Sequence, residues 1–167
     1  MYKLRSNMIK LSHTIIVDKT AEKVFNFLSD IDKYYLWLSK GHKKFDLVNA
    51  DLLKKGIFIK NEETAGRQYI KHRYQVVEII KNHYLKLVSD PSIVTVLAVF
   101  KLPVKVTVEF EIEPLKVGKA RVASHLTVEF KNKITEFFAK IISTEKIWQA
   151  HLVEEVENGA TLIKTMY

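Results

Sequence analysis

Hydrophobic and polar positions alternate along most of this chain, and the period of the alternation changes twice. From residue 9 to 17, Ile9, Leu11, His13, Ile15 and Val17 share one face and Lys10, Ser12 and Thr14 the other, the two-residue period of a strand with one buried side. Val24, Phe27, Leu28 and Ile31 then recur at helical spacing, with Asp18 or Thr20 standing where an N-cap is needed. Asp30 and Asp32 interrupt that helix, and Tyr34-Tyr35-Leu36-Trp37-Leu38 predicts a second short piece that Gly41 ends.

From Lys43 to Lys131 the period returns to two. Turn signals at Asn49-Ala50-Asp51, Glu63–Gly66, Lys81-Asn82, Asp90-Pro91 and Val117-Gly118 divide this stretch into strands over 43–49, 56–62, 67–80, 83–89, 104–113 and 120–131. In the fifth of these, Val104, Val106, Val108, Phe110 and Ile112 oppose Lys105, Thr107, Glu109, Glu111 and Glu113, which predicts an antiparallel sheet wet on one side. Val122, Ser124, Leu126, Val128 and Phe130 repeat the pattern. Asn132 then caps a helix predicted over 133–158 and ending near Gly159. At about 100° per residue, Ile134, Phe138, Ile141, Trp148, Leu152 and Val156 form one stripe, with Phe137 at its edge and a carboxylate, Glu145, at its centre.

These elements predict a single α+β domain over 1–167: a curved seven-stranded antiparallel sheet around a long C-terminal helix, with two short helices closing one end. At about 1.5 Å per residue the helix is long enough to lie across the whole inner face of the sheet. Side chains alone do not fill such a fold, so an enclosed apolar pocket with room for a drug-sized ligand is expected between them.

The element order resembles the helix-grip fold of the START / SRPBCC superfamily. The run Ile15-Ile16-Val17-Asp18-Lys19-Thr20-Ala21-Glu22-Lys23-Val24-Phe25-Asn26-Phe27-Leu28-Ser29-Asp30 is similar to that family's opening strand and helix, and Tyr34, Tyr35 and Trp37 follow where its aromatic segment stands. The resemblance implies a hydrophobic pocket for lipids, sterols, polyketides or similar ligands. Its members include lipid carriers, hormone receptors, polyketide aromatase/cyclases and chaperone-associated modules, and no shared catalytic set carries over to this chain. One departure is the run Ser92–Lys101, apolar on both faces where relatives have a modest loop. It reads as a strand extended into a buried sheet position or a subunit interface, with a lid over the pocket mouth or a membrane-touching tip as the alternative.

Composition narrows the chemistry. The absence of cysteine excludes disulfides, thiolate nucleophiles and iron–sulfur ligation by this chain. The first ten residues lack a signal-peptide core, and the longest apolar run, near Ile93–Phe100, falls far short of the ~20 residues of a membrane span, so a soluble cytoplasmic protein is expected. The formal charge is +8, yet only Arg5, Arg67, Arg73 and Arg121 are arginine, and the lysines are scattered from Lys3 to Lys164. Specific nucleic-acid binding is therefore not expected, while transient contact with anionic membranes and a homodimer stay open.

The histidines at 13, 42, 72, 83, 125 and 151 include no H-E-x-x-H or other close ligand pair, and no G-x-G-x-x-G, Walker loop or G-x-S-x-G occurs; neither a metal nor a cofactor is expected. By parity His13 and His72 point inward and His125 outward. The expected ligand-binding set is Trp37, His72, Tyr74, Phe138, Ile141, Glu145, Trp148 and Leu152. Glu145, His72 and Tyr74 would supply polar handles for an apolar ligand, or an acid, a base and a hydroxyl for catalysis. Alternatively, Glu145 pairs internally with Arg73, Lys71 or a histidine and only holds the helix in register. The leading expectation is binding or transport of a hydrophobic small molecule or lipid; the alternatives are a polyketide cyclase/dehydratase-like enzyme using the same pocket, and a protein- or membrane-interaction module.

Overall fold

The computed structural model describes residues 7–166, so Lys3 and Arg5 lie outside the described residues. The elements run β1 (Met8–Val17), α1 (Ala21–Ser29), α2 (Ile31–Leu38), β2 (His42–Val48), β3 (Phe58–Ala65), β4 (Gln68–Ile80), β5 (Tyr84–Ser89), β6 (Ser92–Val96), β7 (Phe100–Pro114), β8 (Ala120–Phe130), α3 (Lys133–Ile141) and α4 (Thr144–Met166). Thr20 caps α1, its hydroxyl accepting from the Lys23 amide, and Asn132 caps α3 in a reciprocal box with Thr135. The strands form one sheet in the order β1-β8-β7-β5-β4-β3-β2, every pairing antiparallel.

This path contains the seven predicted strands, and β6 is an eighth, pairing with β4 and β7 beside it. It comes from the doubly apolar segment. Val94 and Val96 turn into the core, while Ile93 and the hairpin-tip residues Leu97, Val99 and Phe100 are exposed. Leu97 and Ala98 take φ of 50° and 60°, which lets the chain reverse tightly into β7.

The predicted 133–158 helix is in fact two. Ser143, at φ 55°, ends α3, and α4 restarts at Thr144 in a new phase. The stripe read as continuous is thereby cut: Ile134, Phe137, Phe138 and Ile141 face solvent, whereas Thr144, Trp148 and Leu152 are buried. Glu145 is exposed in the first turn of α4, beside Thr144, which takes the inward position. A carboxylate there is favoured by the partial positive charge at a helix N-terminus. Inside, the Trp148 indole N–H donates to Gln68 Oε1 at 2.7 Å and Gln68 Nε2 donates to Thr144 Oγ1 at 3.1 Å, tying the start of α4 to the start of β4.

Gly159 does not end the helix. It lies within α4 where that helix approaches α1 and α2, with Leu38 and Phe27 at 3.6 and 3.7 Å from where a β-carbon would sit. Buried Val17, Val24, Phe27, Ile59, Val76, Val106 and Val128 complete the core between the helices and the sheet.

Candidate functional site

Between α4, the short helices and the inner face of the sheet lies a cavity of about 150 Å³. Its walls are mainly apolar, with Leu28, Phe45, Leu87, Val108, Phe110 and Leu152 among them. This volume matches a cavity that admits a benzene-sized guest and is below the roughly 300 Å³ at which drug-sized pockets begin. The interior space expected from the sequence is present, then, but on the scale of a single ring.

The carboxylates of the cavity wall, with His151, gather where β2, β3 and α4 meet. Gly41 permits this junction: its carbonyl accepts from the Thr64 amide at 2.8 Å, and any β-carbon on it would lie 2.0 Å from the Thr64 carbonyl oxygen. His42 follows immediately and pairs with Glu63 across the β2–β3 ladder. One turn apart on α4, His151 and Glu155 project toward the same point. The His42 Nε2 lies 2.5 Å from Glu155 and 3.6 Å from Glu63, and His151 Nε2 lies 3.3 Å from Glu155 and 3.7 Å from Glu63.

A second ring of contacts holds these four in place. His42 Nδ1 donates to the Tyr35 carbonyl at 2.6 Å, the Tyr35 hydroxyl donates to Glu63 at 2.5 Å, and Asn61 Nδ2 donates to that hydroxyl at 2.9 Å. Ser39 Oγ lies 3.4 Å from His151 Nδ1 and donates to Glu154. The Nε2 of His151 and the Oδ1 of Asn61 are buried without a hydrogen-bond partner.

Charge follows from this crowding. Burial alone would push both imidazoles down, but pairing with Glu155 and Glu63 outweighs it and raises His42 and His151. Burial would likewise raise Glu155, yet pairing with His151 and His42 holds it well below the usual carboxylate range. Tyr35 and Tyr74 are pushed up, chiefly by burial and then by Glu63 and Glu155, and stay neutral donors. Burial pushes His72 down to about 4, so it is a neutral imidazole, with its Nδ1 at 2.6 Å from Ser92 Oγ.

Of the residues expected from sequence, His72, Tyr74, Trp148 and Leu152 line the cavity. Trp37, Phe138, Ile141 and Glu145 do not: Trp37 is 60% exposed at the outer side of α2, and the other three lie on the solvent side of the broken helix. His13 is half-inward and meets Glu157 of α4 at 2.9 Å. The polar junction is hidden in the sequence because its members come from three separate elements, β2, β3 and α4. Glu63 was read as part of a turn, although β3 runs on to Ala65, and His42 stood just outside the predicted strand. The legible signal was His151-x-x-x-Glu155, an i,i+4 pair on the inward face shared with Trp148 and Leu152.

No protein-family model matches the sequence, and no curated protein sequence matches it. Solved structures do match in shape. Truncated norcoclaurine synthase from Thalictrum flavum is similar with a TM-score of 0.69 at 12% identity, over 98% of each chain. An aromatase/cyclase from Streptomyces sp. R1128 gives 0.69 at 12% over 94% of each, and a START superfamily protein from Mycobacterium smegmatis gives 0.68 at 15% over 95% of this chain and 99% of that one. At such identities the likeness speaks for the fold, and with the strand order, the short helices and the long C-terminal helix it establishes that this chain adopts the helix-grip fold of the START / SRPBCC superfamily.

Proposed function

We propose that this protein binds a small, largely apolar organic molecule, of about one ring in size, within the cavity, and that the junction of Glu63, His151 and Glu155 holds the guest's polar group. The observation that carries this reading is the cavity itself, apolar over most of its wall with ionised and neutral donors converging on one side. His72 and Tyr74 border the same space as neutral groups able to orient a hydroxyl or carbonyl. Trp148 and Leu152 supply apolar wall. The norcoclaurine synthase of the same fold has a structure in complex with dopamine and hydroxybenzaldehyde, guests of this size class. Native mass spectrometry of freshly purified protein should show a retained small molecule, and calorimetric titration should show binding of single-ring phenols or aldehydes. Absence of both a retained mass and single-ring binding would remove the reading. Conversion of the guest by cyclisation or dehydration is the enzymatic alternative in the same cavity, marked by a product mass that differs from the mass supplied.

A second reading, transient contact with anionic membranes, is favoured by one feature. α3 exposes Ile134, Phe137, Phe138 and Ile141, and Lys131, Lys133 and Lys140 are exposed beside them. An apolar face edged by lysines suits a bilayer surface carrying negative lipids. Flotation with phosphatidylserine vesicles, lost in a Phe137→Ser/Phe138→Ser variant, would support it; equal flotation of the variant would remove it.

A further inference from the structure

We propose that His42, Glu63, His151 and Glu155 form a binding site for one divalent first-row transition-metal ion. Each residue presents one donor atom, and the four donors lie within 4.8 Å of one another. In a tetrahedral site with bonds of about 2.0–2.1 Å, donors stand about 3.4 Å apart. Three of the four imidazole–carboxylate separations here, 3.3, 3.6 and 3.7 Å, already lie near that value. The fourth, 2.5 Å between His42 and Glu155, is a hydrogen bond that has to open by about 1 Å when an ion replaces its proton. Two imidazole nitrogens with two carboxylate oxygens suit zinc and its neighbours better than calcium or magnesium, which take oxygen donors alone.

The surroundings are those of ligating groups. The Tyr35 carbonyl can only accept, so His42 Nδ1 carries a hydrogen and Nε2 is turned toward the two carboxylates. That is the arrangement by which a backbone carbonyl fixes the ring of a metal ligand, and the Tyr35 hydroxyl does the same for Glu63. The His42 side chain is wholly buried, and the buried His151 Nε2 has no hydrogen-bond partner. Two neutral imidazoles, two carboxylates and one divalent ion sum to zero charge, which suits a site withdrawn from water. His151 also stands between the cavity and a surface cleft lined by Ser39, Gly41, Thr64 and Glu154, which gives an ion a way in from solvent. On the cavity side the ion would meet the polar group of a guest; this consequence rests on the function proposed above, while binding of the ion does not.

The test uses the full chain stripped of metal and titrated with Zn²⁺ alone by calorimetry and chelator competition, with Co²⁺ absorption as a second readout on the unaltered protein. The expected result is one Zn²⁺ per chain and a tetrahedral Co²⁺ spectrum, with affinity lowered on the order of tenfold to a hundredfold or more in His151→Gln and in Glu155→Gln. His13→Gln, which removes a surface histidine paired with Glu157, should leave binding unchanged. Absence of Zn²⁺ binding to the unaltered protein, binding undiminished in a folded His151→Gln or Glu155→Gln chain, or loss in His13→Gln would each overturn the proposal. Calorimetric titration with a single-ring phenol in the presence of chelator keeps the two readings apart, since a cavity without a metal still binds the phenol and a metal site without a guest cavity does not.

Discussion

Tyr35 lies flat against His42, with ring centroids 3.7 Å apart and planes within 2° of parallel, while its own carbonyl accepts from the same imidazole. One residue thus fixes both the position and the tautomer of the histidine. Its hydroxyl adds a third tie, to Glu63. Tyr35→Phe keeps the stack and the carbonyl but removes the hydroxyl, so Glu63 loses its shorter hydrogen bond and Asn61 its nearer acceptor, leaving only the 3.4 Å bond from Asn61 to Glu63. A bond of this kind is worth about 1.5–3 kcal/mol. Thermal unfolding of the variant should begin several degrees lower, about 3–12 °C at about 2–4 °C per kcal/mol for a chain of this size. An unchanged melting temperature would show that the hydroxyl contributes nothing there.

His72 makes stability depend on pH in a particular window. The folded chain protonates it only near pH 4, whereas an unfolded histidine takes up its proton near 6.5. Between those values the unfolded state holds more protons, so stability rises with pH; the contribution is complete above about 6.5 and is lost as pH falls through about 4. From pH 8 to pH 4.5 the loss is about 2–3 kcal/mol. Urea unfolding of the unaltered protein and of His72→Gln should therefore show a steeper acid loss in the former, other groups being common to both. Parallel slopes would contradict the burial of this imidazole.

Gly159 sits inside α4 at ordinary contact distance from its neighbours, so a methyl group fits without displacing Leu38 or Phe27. Glycine in a helix interior costs about 1 kcal/mol relative to alanine. Gly159→Ala is expected to raise the melting temperature by about 2–4 °C. A decrease on calorimetry would mean that the α4 contact with α1 and α2 is tighter than it looks.

Glu145→Gln, by contrast, should do little. The side chain is exposed and touches neither the cavity nor the polar junction. Surface changes of this kind shift stability only slightly, so the melting temperature should stay within about 2 °C and binding of single-ring phenols should be unaltered. A change in guest affinity on this substitution would restore Glu145 to the pocket.

The fate of Glu145 marks where the sequence stops being legible. Parity along strands carried the inward faces of β4, β7 and β8 correctly, because a two-residue period survives any twist of the sheet: Ile70, His72, Tyr74 and Val76 are all buried. Helical phase does not survive a break. One left-handed residue, Ser143, resets it, and nothing in Ile141-Ile142-Ser143-Thr144 announces that break as a glycine or proline would. The polar junction was hidden for a different reason, since His42 and Glu63 meet only through strand pairing, and only the α4 half of the site has its own local spacing.

The pairing of β1 with β8 has a kinetic meaning. Met8 opposes Glu129 and Val17 opposes Ala120, so the opening strand finds its partner more than a hundred residues later. α4, which covers the core, follows later still. During synthesis Ile9, Leu11 and Val17 therefore wait without their lasting neighbours until almost all of the chain has left the ribosome, and closure of the sheet has to overcome the entropy of a very long loop. Folding should accordingly be slow for a domain of this size, on the scale of non-local β-proteins, with the sheet completed in one late step.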